Sequence, residues 1–270
     1  MAKARVNDVD LYYEVSGSGR PLVLTHGSWG DATAWHGVLP SLAPRFQVVV
    51  WDRRGHTRSS DGPGSGSLHE DAEDLAGLIE YLRLSGTQVY GTSAGGIVVL
   101  NLVALRPDLV SRAAVHEPPV MELLQGTGDA ELVRALNEQQ QHLDKVRSMI
   151  ESGTWGEAAE YFFDNVAVGP GAWGRFPEPV RNALEANAPT YAGELATSSE
   201  WAVDPGAIAA TGVPILISQG TESPAMILAA TRELVRRVPS ARAVTLDGSG
   251  HVPYRTHPDI WLESLMGFFD

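Results

Sequence analysis

Cysteine is absent from this chain. That excludes disulfides, a thiolate nucleophile and thiolate-bound metal, and it fits a reducing compartment. Long apolar runs are absent too. Ile97 to Leu105 is the best stretch and falls well short of the roughly 18 residues a membrane helix needs. The opening segment, Met1 to Asp8, lacks the apolar core of a secretory signal. Positive charge is scarce: 20 Lys and Arg stand against 33 Asp and Glu, a formal net charge of −13. A basic face is the usual footprint of nucleic-acid binding, so this balance argues against that class and against polyanionic substrates, which the protein's own field would repel. The expectation is a cytoplasmic protein that acts on a neutral small molecule, with no membrane or nucleic-acid partner and a homodimer as the candidate assembly.

What is present suffices for one large core. The chain has 270 residues, 43% of them hydrophobic and 20% charged, ordinary values for a globular protein. Short apolar runs alternate with amphipathic segments, the pattern of a largely parallel sheet with helices on both faces. Strands are predicted at Val9 to Val15, Leu22 to Leu24, Gln47 to Trp51, Val89-Tyr90, Ala113 to Val115, Pro214 to Ser218 and Ala243 to Leu246. Helices are predicted over Asp31 to Leu42, Leu68 to Leu84, Gly96 to Leu105, Ala225 to Val238 and from Pro258 onward, with a Gly- and Ser-rich loop from Asp61 to Ser67. Between about Pro118 and Pro205 the strand rhythm stops, and helical patterns carry scattered large aromatics such as Trp155, Phe162 and Tyr191. A helical insertion at 118–205, between core segments 1–117 and 206–270, accounts for this.

Gly91-Thr92-Ser93-Ala94-Gly95-Gly96 lies between a strand and an apolar helix. Small residues two before and two after the serine leave room for a sharp strand-to-helix turn, which lifts the hydroxyl above the sheet. The first N–H groups of the following helix face developing negative charge. Ser93 is therefore the candidate nucleophile. A base is sought near the end of the chain, and Gly250-His251 follows the last strand. His257, in His257-Pro258, reads instead as a packing or capping residue, and His26 and His56 as structural. His36, His69, His116 and His142 show no metal-ligand spacing.

These motifs, with Leu24-Thr25-His26-Gly27 and Trp51-Asp52-Arg53-Arg54-Gly55, resemble the α/β-hydrolase superfamily over nearly the whole chain. The resemblance implies a mostly parallel eight-stranded sheet flanked by helices, with a helical lid inserted after strand 6. It implies oxyanion donors at the backbone N–H groups of Ser28 and Ala94. A serine at position 93 argues against the haloalkane dehalogenases and epoxide hydrolases, which place Asp there. No metal or organic cofactor is called for.

The acid is the irregular member. Most relatives carry Asp three residues after the glycine in the loop that follows the strand ending near Ser218, but Gly220-Thr221-Glu222-Ser223 has serine there. Glu222 would serve after a one-residue shift. Glu117, in His116-Glu117-Pro118-Pro119, would serve from the neighbouring strand end, since parallel strands present their carboxyl ends to one side. Glu117 is the preferred assignment and Glu222 stays open. A narrower resemblance is to zearalenone-type lactone hydrolases. It rests on Leu11-Tyr12-Tyr13-Glu14, His116-Glu117-Pro118-Pro119, Thr221-Glu222-Ser223 and His251-Val252-Pro253-Tyr254-Arg255. That family takes its acid from a Glu after the sixth strand, which falls on Glu117. Those lactonases lack the His-Gly at 26 and 27 and carry a lid Trp at the position of Tyr191. Together these features imply cleavage of an ester or lactone of a largely hydrophobic molecule, with Tyr191 and Trp155 as candidate pocket residues. Carbon–carbon bond hydrolase, lyase, cofactor-free peroxidase or ligand-receptor roles on the same frame stay open, because fold does not determine function.

Overall fold

The computed structural model describes residues 2–62, 66–126, 128–198 and 201–270. Met1, part of the loop expected at Asp61 to Ser67, and positions 127, 199 and 200 of the expected insertion lie outside the described residues.

The strands are β1 (Ala2–Val6), β2 (Val9–Ser16), β3 (Arg20–Thr25), β4 (Phe46–Trp51), β5 (Thr87–Thr92), β6 (Val110–His116), β7 (Ile215–Gly220) and β8 (Arg242–Leu246). They form one eight-stranded sheet in the order β1-β2-β4-β3-β5-β6-β7-β8. β2 runs antiparallel to β1 and β4, and every other pairing is parallel. The helices are α1 (Leu39–Leu42), α2 (Leu68–Tyr81), α3 (Ala94–Leu105), α4 (Ala130–Glu151), α5 (Trp155–Phe162), α6 (Ala172–Arg175), α7 (Glu178–Ala186), α8 (Ala188–Ala196), α9 (Pro205–Ala210), α10 (Ala225–Arg237), α11 (Pro253–Thr256) and α12 (Pro258–Phe269). None of the described helices is long and apolar enough to cross a membrane.

The central strands are apolar on both faces because both are covered. Val23, Val49, Val89, Val115 and Ile217 point into one core, shared with α2, α3 and α10. Leu22, Leu24, Val48, Val50 and Leu216 point the other way, against Trp35, Trp261 and α12. Each fully buried side chain of this kind stabilises by about 1.5–3 kcal/mol. Between β6 and β7 the chain forms α4 to α8 and builds a third core. Trp29, from the loop after β3, is fully buried in that third core.

Two local expectations differ from the structure. Asp31 to Leu42 is not one helix. Asp31 caps a 3-10 turn, Ala32–Trp35, and a separate turn of helix follows at Leu39–Leu42. Gly37 weakens the joint, and Pro40 has no N–H to continue a helical ladder. The helix begun at Leu68 stops at Tyr81 rather than Leu84, because Arg83 takes a positive φ of 53°.

Candidate active site

The turn between β5 and α3 is built from its glycines. A Cβ at Gly91 would lie 2.0 Å from the Gly95 carbonyl oxygen, and a Cβ at Gly95 would lie 2.4 Å from that of His26. With both absent, α3 starts hard against the end of β3, and Ser93 is held at φ 53°, ψ −129°. Such a conformation costs on the order of 1–3 kcal/mol in a residue with a Cβ, and persists because its surroundings over-determine it. The Ser93 N–H donates to the His116 carbonyl (2.9 Å), and the Ser93 carbonyl accepts from Gly96 (2.8 Å). Its hydroxyl faces a cavity and has no hydrogen-bond partner among the described residues.

Glu117 follows β6 at φ 47°, a second strained residue one strand away. Its carboxylate leans toward the end of β7. Oε1 accepts the Gly220 N–H (2.7 Å) and Oε2 accepts from His251 Nδ1 (2.7 Å). Burial pushes this carboxyl up. The His251 hydrogen bond and the neighbouring His116 and His251 outweigh that and hold it down at about 2. An ionised Glu117 is acceptor-only, so His251 Nδ1 carries the proton of this hydrogen bond, and in the neutral ring Nε2 is the free acceptor. Ser223 also favours the ionised form from close by, without a hydrogen bond of normal length. Glu222 is exposed and makes no hydrogen bond or ion pair with His251 among the described residues. Its N–H donates to the Ser249 carbonyl (2.8 Å), and its carboxylate accepts from the Thr221 hydroxyl (3.5 Å). His257 caps α12 and contacts Thr256.

Spacing alone left His116 among unassigned histidines. It is fully buried, and burial lowers it to about 4, so it is neutral near pH 7. It links the Ser218 hydroxyl (3.0 Å) to the Gly250 carbonyl (3.3 Å), steadying the loop that carries His251.

The loop after β3 closes the other side. A Cβ on Gly27 would press to 3.0 Å from the Ser93 Cβ, so glycine is required for the approach. The Ala94 N–H opens α3 and has no intrahelical acceptor. Ser28 shares a cavity with Ser93 and His251. Burial and the charge of Arg53 lower His26 well below its ordinary value. His26 Nε2 accepts the Arg53 N–H (3.0 Å) and Nδ1 donates to the Gly27 carbonyl (2.8 Å). His56 is likewise buried, against the Arg54 carbonyl and Thr190.

Two lobes meet at Ser28, Ser93, His251 and Phe162. One, of about 60 Å³, is walled by Phe163, Phe176, Val180, Leu184 and Tyr254. The other, of about 200 Å³, runs past Met121, Leu143 and Trp201 to Gln125, Gln139 and Gln140. Tyr191 lines the second lobe and packs on Trp29, with ring centroids 5.0 Å apart. Trp155 lines neither. It is 40% exposed, and its indole N–H donates to the Ile150 carbonyl (3.2 Å), so it caps a helix end instead.

Charges missing from the sequence reading also meet here. Arg53 is fully buried between Asp71 and Glu194, at 2.6 Å from each. Nothing local in the sequence points from Arg53 to Glu194.

A family model described as "Alpha/beta hydrolase family" matches residues 22–263. A solved alpha/beta hydrolase from Sphaerobacter thermophilus superposes with a TM-score of 0.75 at 28% identity, covering 100% of both chains. A 2-(acetamidomethylene)succinate hydrolase of Mesorhizobium japonicum is 26% identical across 98% of this chain and 93% of its own length. An uncharacterised hydrolase of Bacillus subtilis is 33% identical across 45% of this chain. The chain spans 42%, 46% and 33% of the first three relatives it matches.

Proposed function

The chain belongs to the alpha/beta hydrolase family, and from that premise we propose that it is a serine hydrolase cleaving a carboxylic ester or lactone through an acyl-enzyme on Ser93. The observation that carries the reading is the Glu117–His251 hydrogen bond of 2.7 Å beside a strained serine in one cavity. In this scheme His251 Nε2 takes the Ser93 proton as Oγ attacks the carbonyl carbon. The Ser28 and Ala94 N–H groups hold the oxyanion, and His251 then protonates the leaving alkoxide. Water repeats the sequence and frees the acid. No hydrogen bond joins Ser93 and His251 among the described residues, and such contacts commonly tighten in the Michaelis complex.

Residues 118–205 are proposed as the lid over a core of 1–117 and 206–270. The aromatic and aliphatic walls of the first lobe suit a neutral, largely hydrophobic molecule, with the glutamines of the second lobe left for its polar groups. A macrocyclic resorcylic lactone such as zearalenone is the specific candidate, on the strength of the Glu117 position. The name of the Mesorhizobium relative puts an acetamido compound in the same substrate panel.

Ser93→Ala should lower aryl-ester turnover at least about 10⁴-fold while leaving circular dichroism and melting unchanged. Unaltered turnover in that variant would refute the scheme. Hydrolysis of aryl esters without opening of resorcylic lactones would remove only the finer substrate assignment.

A further inference from the structure

The loop after β3 is gripped by one face of α8. Asn187, at the start of α8, with Tyr191 and Glu194 stands at spacings of four and three residues, which brings all three to the same side of a helix. Asn187 Nδ2 donates to the Trp29 and Gly30 carbonyls, both at 3.0 Å. Tyr191 packs on the Trp29 ring. Glu194, 1% exposed, accepts the Ser28 hydroxyl proton on Oε2 (2.5 Å) and Arg53 Nη2 on Oε1 (2.6 Å). Trp29 itself sits at φ 67°, a conformation its loop would leave if it were not held. Buried carboxylates are costly unless paired, and Arg53, which also reaches the Gly27 carbonyl (3.3 Å), supplies the counter-charge.

We propose that Glu194 is a positioning residue: from α8 it anchors the Ser28 hydroxyl, and thereby sets the Ser28 N–H where the oxyanion forms. This rests on the reading of Ser93 as nucleophile. The Ser28 proton is committed to Glu194, so the hydroxyl is an anchor and the N–H is the donor. The bound charge is compensated locally: Arg53 shares the carboxylate and prevents it from opposing the charge that develops on the substrate oxygen. The oxyanion side is thus complete only while α8 is docked.

The test uses Ser28→Ala, Glu194→Gln and the double variant. The readouts are p-nitrophenyl butyrate kinetics and the affinity of phenylboronic acid, whose adduct with Ser93 places a charged oxygen in the same hole. Ser28→Ala leaves the Arg53–Glu194 ion pair in place, so it remains decisive if Glu194→Gln fails to fold. Each single variant should lower kcat roughly 10-fold or more with KM within about two-fold, and boronate affinity should fall by the same factor. The double variant should lose little beyond either single one. Additive losses, or lower kcat with unchanged boronate affinity, would overturn the proposal, as would kcat within two-fold in Ser28→Ala. A parent protein that neither turns over the ester nor binds the boronate would instead bring down the Ser93 reading, and this one with it.

Discussion

The two sides of the cleft are supported from different parts of the molecule. His251 and Glu117 are held by the sheet: Glu117 accepts the N–H of Gly220 on β7, and buried His116 braces the loop before His251. Ser28 and Trp29 are held by α8, a helix of the segment between β6 and β7, with partners 158 and 166 residues away in sequence. The proposed base and acid are therefore braced by the sheet itself. The proposed oxyanion side rests on a peripheral helix, and a disturbance there should damage turnover before it damages folding.

The largest effect that would break this comparison lies on the sheet side. Glu117→Gln should lower kcat by about 10³–10⁴-fold, since the amide neither fixes the Nδ1–H tautomer as well nor stabilises the charged imidazole. Glu222→Gln should stay within about two-fold, and the reverse ranking would move the acid to β7. A smaller effect is expected on the helix side. Asn187→Ala frees two carbonyls of the Ser28 loop and should cost on the order of 10-fold in kcat/KM. Its melting temperature should change little more than for an ordinary lost hydrogen bond; equal damage to stability and turnover would erase the contrast.

The smallest effect is in pH dependence. Burial raises Asp71 to about 7, despite Arg53, with Glu194 adding to the rise. An acid bound more tightly by its proton in the native state contributes stability that is full below its unfolded value and lost as pH rises through about 7. Glu117, held at about 2, has the opposite sign: its contribution is present above its unfolded value and lost as pH falls toward 2. Melting temperature should therefore decline between pH 5 and 8, and Asp71→Asn should flatten that slope. An unchanged slope in the variant would remove Asp71 as its source.

What could be read in advance follows the range of each interaction. The turn around Ser93 is local: strand, small residues and apolar helix lie within twenty positions. Glu117 was reachable because neighbouring parallel strands end on one side, and because serine at 223 removed the usual candidate. The Ser28–Glu194 link spans 166 residues. On α8 a buried glutamate looks like any amphipathic position, so periodicity carries no trace of its partner. Aromatic content likewise says nothing about direction. Tyr191, on α8, faces inward onto Trp29, while Trp155, at the start of α5, turns outward with its indole N–H on the Ile150 carbonyl at the end of α4.

The close contact between Gly95 and the end of β3 means that the proposed nucleophile and oxyanion loop are spaced by main chain alone. Recombining this core with a foreign cap would keep that spacing intact. The graft would still fail wherever the incoming helix lacked an acidic group opposite Arg53, because a fully enclosed guanidinium would then share a single carboxylate. Exchange of substrate range by swapping caps is thus limited to donors that bring their own counter-ion.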